Sequence, residues 1–320
     1  MSITQELRNP QSRASRWLAT NFELDTVVEK LGAQASGTET IRPTGYLKDY
    51  PWSTVGHAVE FRLRQIRDTP YFATTASIAR VSNSPSITRL FHDALALLWD
   101  AHRDDTLTSR ENAWVMYFAG ISEGIYRSGC TEAFVPVERV LSKLAPLPDW
   151  QAFAQEIALA RSGKIAGVEP SDHPCVQVLA KLLPVSEEVL DDVARVSNTA
   201  ASSEGWAQVA SGTFIDNPAF AGAVWVGGAD GDFIVNHTLY DVKCTIHPEK
   251  LWLQALRQMI AYVALDSRDE FEINEIAIFL PRQHGATARV SLDQILARST
   301  FTTRHDMQRS ARMALDPARF

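Results

Sequence analysis

GGADGDFIVNHTLYDVK, residues 227–243, decides the fold. Phe233-Ile234-Val235 and Leu239-Tyr240 supply β-favouring, apolar residues on either side of Asn236-His237, a pattern that reads as two short strands and a tight turn. Asn tolerates the left-handed backbone that a two-residue hairpin loop requires. With Asn236-His237 as the loop, Val235 faces Thr238. Counting back along both strands then sets Asp232 opposite Asp241 and Asp230 opposite Lys243. Side chains alternate along a strand, so these four project from one face, and opposed pairs lie ~4.5–5.5 Å apart at Cβ.

Opposed carboxylates destabilise a hairpin unless something balances them, and one of the two tends to keep its proton unless a cation intervenes. A divalent metal resolves the conflict, because Mg²⁺ takes carboxylate, water and phosphate oxygens. Lys243, two residues beyond Asp241, points at the same place, where an ammonium group orients a water or steadies charge on a phosphate. The competing reading is a solvated hairpin face with compensating charges. The glycines before Asp230, the hairpin and the paired acids favour a metal-dependent phosphodiesterase centre.

After this stretch, His247-Pro248-Glu249 opens a helix predicted to run to about Asp266, with proline near the start, where it is tolerated. Leu251, Ala255, Leu256, Met259, Ile260 and Val263 form its buried side. Gln258 and Tyr262 stand at i and i+4 on one face, and Gln254 extends the row.

Ala-Asp-x-Asp on one strand, Asp-x-Lys on the next and Gln-x-x-x-Tyr on the following helix together resemble the PD-(D/E)XK nuclease superfamily. The resemblance is to its RecB-like, lambda-exonuclease-like branch, and it covers about residues 205–300. It implies an α/β (α+β) fold with a restriction-endonuclease-like core, a small mixed sheet flanked by helices. It further implies Asp232, Asp241, Lys243, Gln258 and Tyr262 as catalytic residues. Asp232 and Asp241 would bind Mg²⁺ or Mn²⁺, with the Val242 carbonyl as a further ligand and Asp230 as a substitute or neighbouring acid. The family's helical metal ligand has two candidates. Glu60 follows Gly56-His57-Ala58-Val59, resembling a Gly-x-x-x-His element with a carboxylate in the histidine position, although Glu60–Arg64 also reads as an i,i+4 surface pair. Glu123 sits in Glu-Gly-Ile-Tyr-Arg, one turn before Arg127, and the two glutamates remain alternatives.

The 320 residues suit one large domain or two modest ones. A hydrophobic fraction of 45% with 22% charged residues fits an ordinary globular protein. No stretch approaches the ~20 apolar residues of a membrane helix, and the N-terminus lacks the apolar core of a secretory signal. A cytoplasmic location is the expectation, with no membrane partner. The three cysteines, Cys130, Cys175 and Cys244, are too few for the usual four-cysteine iron–sulfur cluster of some members of the branch, so no such cluster is expected. The net charge of −7 opposes a nucleic-acid partner unless the groove itself is basic. Arg62, Arg64 and Arg67 form one local basic cluster, and five arginines against two aspartates in residues 298–320 form another.

Residues 1–200 read as a mainly helical N-terminal region and 201–320 as the nuclease core. Helices are predicted near 15–22, 53–67, 86–103, 109–129 and 184–196. Residues 197–205, small and polar, read as a linker, with strand-like texture from Trp206. The apolar run Ile273–Leu280 and residues 286–292 read as a second hairpin closing the sheet. The expected function is metal-dependent hydrolysis of nucleic-acid phosphodiesters, DNA foremost, in repair or phage defence. The alternatives are a nuclease-fold protein that binds nucleic acid or a partner protein without cutting, and an α/β enzyme using the acids for other metal chemistry. The latter lacks any phosphate loop, His-rich cluster or nucleophile motif.

Overall fold

The computed structural model describes residues 3–44, 50–67 and 185–319, with isolated positions at 113, 116, 117, 119, 120 and 152. In chain order the described helices are α1 (Ile3–Arg8), α2 (Arg13–Asn21), α3 (Asp25–Ala35), α4 (Trp52–Ile66), α5 (Glu187–Ala201), α6 (Glu204–Ala210), α7 (Trp252–Leu265), α8 (Leu292–Leu296) and α9 (Arg304–Leu315). The strands are β1 (Phe214–Asp216), β2 (Phe233–Val235), β3 (Thr238–Val242), β4 (Glu275–Leu280) and β5 (Ala286–Ser291). The chain divides into two compact units, residues 1–41 with 202–320, and residues 42–201. The break at 201/202 lies one residue from the boundary read in the sequence. Residues 1–41, however, pack with the sheet, because Trp17, Leu18, Phe22, Val27 and Leu31 bury their side chains in the same core as β3, β4 and α7.

The five strands form one mixed sheet in the order β1-β2-β3-β4-β5. Asn236 and His237 take φ of 48° and 64°, and the turn pairs Val235 with Thr238, Ile234 with Leu239 and Phe233 with Tyr240. β3 and β4 are parallel, so the chain between them must cross over the sheet, and α7 makes that crossing. Alternation along the strands sorts the side chains. Ile234, Leu239, Ile276, Ile278 and Leu280 join Leu256, Met259, Ile260 and Val263 of α7 in one core. Phe233, Tyr240 and Phe279 turn to the opposite face. There Phe233 stacks on Tyr240 at 5.1 Å and on Phe214 at 5.0 Å, and Trp206 of α6 meets Phe233 at 6.0 Å and Phe279 at 5.7 Å between ring centroids.

α6 corrects the linker reading. Residues 197–201 continue α5, and 204–210 are helical because Ser203 caps Trp206 N–H through its hydroxyl at 3.0 Å while Trp206 and Val209 bury one side. β5 is an edge strand, and α3 covers it: the Gln34 amide donates to Arg289 O at 2.8 Å and accepts from Arg289 N at 2.9 Å, occupying backbone groups that would otherwise template another strand.

In the other unit, Tyr50 O–H donates to Asp192 of α5, and Arg195 reaches both Asp192 and the Arg42 carbonyl. The Arg62/Arg64/Arg67 cluster is not a solvated patch: Arg62 and Arg64 are buried, Arg62 beside Gln65 and Arg64 on Glu60. The helices predicted near 86–103 and 109–129 lie largely or wholly outside the described residues.

The close approach of α6 to the turn after β4 sets a test of the packing. A Cβ on Gly205 would lie 2.3 Å from Gly285 O and 2.8 Å from Thr287 Oγ1, whereas one on Gly32 in α3 meets Trp252 no closer than 3.4 Å. Gly205→Ala is expected to lower stability by about 1–3 kcal/mol, and Gly32→Ala to leave it unchanged or raise it by up to ~1 kcal/mol, both read as shifts in urea unfolding midpoints.

Candidate active site

Asp241 occupies the position of β3 that faces Ile278 of β4, on the sheet face covered by α7. Its apolar surroundings leave it 4% exposed, and a carboxylate taken out of water needs a counter-charge. Lys243 supplies it. Two residues along the chain keep the lysine on the same face, and its Nζ lies 2.8 Å from Asp241 Oδ1 and 2.7 Å from Oδ2. The contact to Oδ2 is one of charge outside hydrogen-bond geometry, so Oδ2 stays buried without a hydrogen bond among the described residues. The lysine backbone is fixed as well, donating its N–H to Phe279 O of β4 at 2.9 Å.

α7 contributes the next links. Lys243 Nζ donates to Gln258 Oε1 at 3.5 Å, and Gln258 Nε2 donates to Tyr262 Oη at 2.7 Å. The amide orientation follows from its neighbours, since an ammonium group offers only donors and must face the oxygen. Thr4 of α1 accepts from the same Nε2 at 3.1 Å. Tyr262 is buried, stacks on Phe220 at 5.3 Å, and has its phenol pKa pushed well above the ordinary value. Burial is the main cause, followed by the negative charge of Asp241, with Gln258 opposing and Asp232 and Asp230 adding smaller upward pushes. The ring therefore stays protonated at working pH and serves as a neutral hydrogen-bonding group. That all three aspartates act on it places them in one electrostatic neighbourhood.

The first strand departs from the predicted ladder. Pairing with β3 stops at Phe233–Tyr240. Asp232 sits at a bend, its carbonyl taking Asn217 N–H at 3.0 Å, while Gly231 N–H goes to Pro218 O at 3.1 Å and Asp230 bridges Ala219. The segment after β1 keeps pairing with this backbone on the edge away from β3, and a Cβ on Gly231 would lie 3.0 Å from Leu239 and 3.2 Å from Pro218. Asp230 is not paired across from Lys243, because the β2–β3 ladder has already ended. Asp232 nevertheless returns to β3 through its side chain, accepting Val242 N–H on Oδ2 at 2.6 Å. The Val242 carbonyl leaves the strand on that same edge.

Asp241, Lys243, Gln258 and Tyr262 are thereby joined in one chain of contacts, with Asp232 one backbone group away. Glu60 belongs to the other unit, where it pairs with Arg64 Nη2 at 2.5 Å and lies 3.8 Å from His57 Nδ1. Glu123 lies outside the described residues. Among the described residues no three His, Cys, Asp or Glu side chains are gathered as a ready metal cluster. The groups nearest to that role are Asp241 with its orphaned Oδ2, Asp232, and the Val242 carbonyl, all hard oxygen donors of the kind Mg²⁺ takes. Thr4 is a site residue that sequence reasoning missed; 254 positions separate it from Gln258, and nothing in its local pattern marks it.

No family model matches the chain, and no curated protein or solved structure is significantly similar to it. No described helix is long and apolar enough to cross a membrane.

The raised Tyr262 pKa has a consequence for stability. The neutral phenol is favoured by the fold, so its contribution is complete below the unfolded value of about 10 and declines as pH rises toward the folded one. Between pH 10 and 11 the wild-type protein is expected to lose about 1 kcal/mol more stability than Tyr262→Phe, measured as paired urea unfolding curves across pH 8–11.

Proposed function

We propose that this protein is a Mg²⁺- or Mn²⁺-dependent nuclease with a restriction-endonuclease-like core, acting on phosphodiester bonds of nucleic acid, DNA foremost. The observation that carries the reading is the unbroken set of contacts Asp241–Lys243–Gln258–Tyr262, built from the residues that give the sequence its resemblance to the PD-(D/E)XK superfamily. An α/β sheet with a crossover helix over one face is compatible with that core.

Asp241 and Asp232, with the Val242 carbonyl and the neighbouring Asp230, are the groups that would hold the ion. When bound, a divalent cation lowers the pKa of a coordinated water and polarises a phosphoryl oxygen. Lys243 is the group that changes partner. With Asp241 otherwise engaged, its ammonium is available to orient the attacking water and to stabilise negative charge on the phosphate. Gln258 holds the lysine from behind through Oε1 and is itself anchored on Tyr262 and Thr4, so the ammonium is positioned before substrate arrives. The buried phenol of Tyr262 keeps its proton and acts as an anchor.

A second reading, binding of nucleic acid without cleavage, is favoured by one feature: Lys243 itself supplies a counter-charge to Asp241. A single assay separates the two. Single-stranded, duplex and nicked DNA are incubated with wild type, Asp241→Asn and Lys243→Gln, with Mg²⁺, Mn²⁺ or chelator, after thermal melts establish that each variant is folded. Cleavage by wild type that needs the metal and falls at least ~10²-fold in both variants is expected. Metal-dependent cleavage undiminished in both variants removes the proposal, and gel retardation without cleavage by wild type supports the binding protein.

A further inference from the structure

α7 carries the candidate site on one face and a different chemistry on its outer face. Leu253 and Gln254 are exposed there and Arg257 is half-buried, and Lys250 precedes them, exposed, in the turn Pro248–Lys250 that leads into the helix. Lys250, Gln254 and Arg257 follow the i, i+4, i+7 spacing of one helical face. Gln254 in turn stands four residues before Gln258, so this exposed row runs up to the residue whose Oε1 receives Lys243 Nζ at 3.5 Å.

Arg257 is the informative member. Among the described residues it has no carboxylate and no hydrogen-bond acceptor. Its Nε is closed off from solvent without a hydrogen bond, while the two Nη nitrogens at the tip remain open, so the inner part of the side chain is packed and the outer end of the fork is accessible. Other half-buried arginines of the same unit are paired: Arg289 with Glu275 at 3.1 Å and Arg304 with Asp269 at 2.6 Å. Taking a guanidinium partly out of water costs free energy that a counter-charge recovers. Glu249, the acid nearest to this row in the chain, lies on His247 Nδ1 at 3.0 Å.

The group that completes Arg257 is an anion presenting two oxygens to a planar fork, which phosphate does. The length of the row selects a polymer. Lys250 and Arg257 are seven residues apart, about 10 Å along a helix, or about three nucleotides of one strand at ~3.4 Å each. A single phosphate ion cannot touch both ends.

We propose that the outer face of α7 is the track of a nucleic-acid backbone, with Arg257 gripping a phosphate that flanks the one at Lys243, and Lys250 meeting the same strand about three nucleotides from Arg257. The unmet guanidinium stands on the geometry alone; choosing a nucleic acid as the polyanion rests on the nuclease reading above.

The test is fluorescence anisotropy of a labelled single-stranded oligodeoxynucleotide with the full chain in chelator, where cleavage plays no part, across a range of salt concentrations. Loss of one phosphate contact lowers the slope of log affinity against log salt by about 0.7 for a single strand, or about five-fold in affinity at about 0.1 M salt. Arg257→Gln is expected to show that loss, and Arg257→Lys, which keeps the charge, to retain the wild-type slope. Lys30→Gln, at an exposed lysine of α3, is expected to leave both near wild type, and urea midpoints establish that each variant is folded. Replacing the phosphates of the strand by uncharged methylphosphonates is expected to bring wild type and Arg257→Gln together. Wild-type affinity and slope in Arg257→Gln, an equal loss in Lys30→Gln, or no binding by wild type overturns the proposal. A polyglutamate of matched charge, bound as tightly and with the same dependence on Arg257, assigns the face to an acidic protein segment and also overturns it. DNA cleavage with unaltered binding by Arg257→Gln would leave the nuclease reading standing and remove this one, while Arg257-dependent strand binding without cleavage does the reverse.

Discussion

The candidate site depends on the burial of one carboxylate. Asp241 projects from a central strand into the layer between sheet and helix, where its neighbours along the face are Leu239, Ile276 and Ile278. Desolvating a charge costs several kcal/mol even after relaxation, and pairing it recovers that cost only with good geometry. The pairing found here is local, since Lys243 follows two residues later and the pleat puts both on one face. A buried ion pair is weak grounds for stability, because apolar replacements of similar volume often serve a fold as well or better. Its presence in this layer is better explained by chemistry than by folding.

The remainder of the site follows from that placement. β3 and β4 run parallel, which forces a crossover, and the crossover helix lies over the face that carries Asp241 and Lys243. A polar pair on this helix therefore arrives opposite the ion pair with no long-range coincidence. Gln258 and Tyr262, at i and i+4, interrupt an otherwise apolar contact surface, and each finds a partner. α1, from the far end of the sequence, closes the arrangement through Thr4. The opposite face of the sheet is aromatic, built from Phe214, Phe233, Tyr240, Phe279 and Trp206. The two sheet faces thus carry different chemistries.

What could be read in the sequence was governed by period and by local turn chemistry. The loop residues Asn236-His237 fixed the β2–β3 register, and the period of two then placed Asp241 and Lys243 together. The period of 3.6 placed Gln258 beside Tyr262. The ladder read outward from the turn overruns the structure: β2–β3 pairing ends at Phe233–Tyr240, so Asp230 does not meet Lys243 across the hairpin. Its bridge is to Ala219 on the β1 edge, and no pattern internal to residues 227–243 reports where the ladder stops. Residues 197–205 read as a polar linker because Ser202 and Ser203 are turn-forming residues, and the strand-like texture expected from Trp206 is helix in the structure. One of them is a helix cap, and the helix is stabilised by Trp206 packing on phenylalanines from β2 and β4. Assigning residues 1–41 to the sheet unit likewise needed tertiary contacts, since their helical pattern does not say which core they join.

The proposed chemistry requires the Asp241 carboxylate, held by Lys243, to be a ligand for a divalent cation. Mn²⁺ binding followed by electron paramagnetic resonance, with and without a short DNA duplex, tests this directly on wild type and Asp241→Asn. A bound signal from wild type, strengthened by DNA and lost in Asp241→Asn, is the predicted result. Free Mn²⁺ throughout the wild-type titration, even with DNA present, or unaltered binding by the asparagine variant, would contradict it.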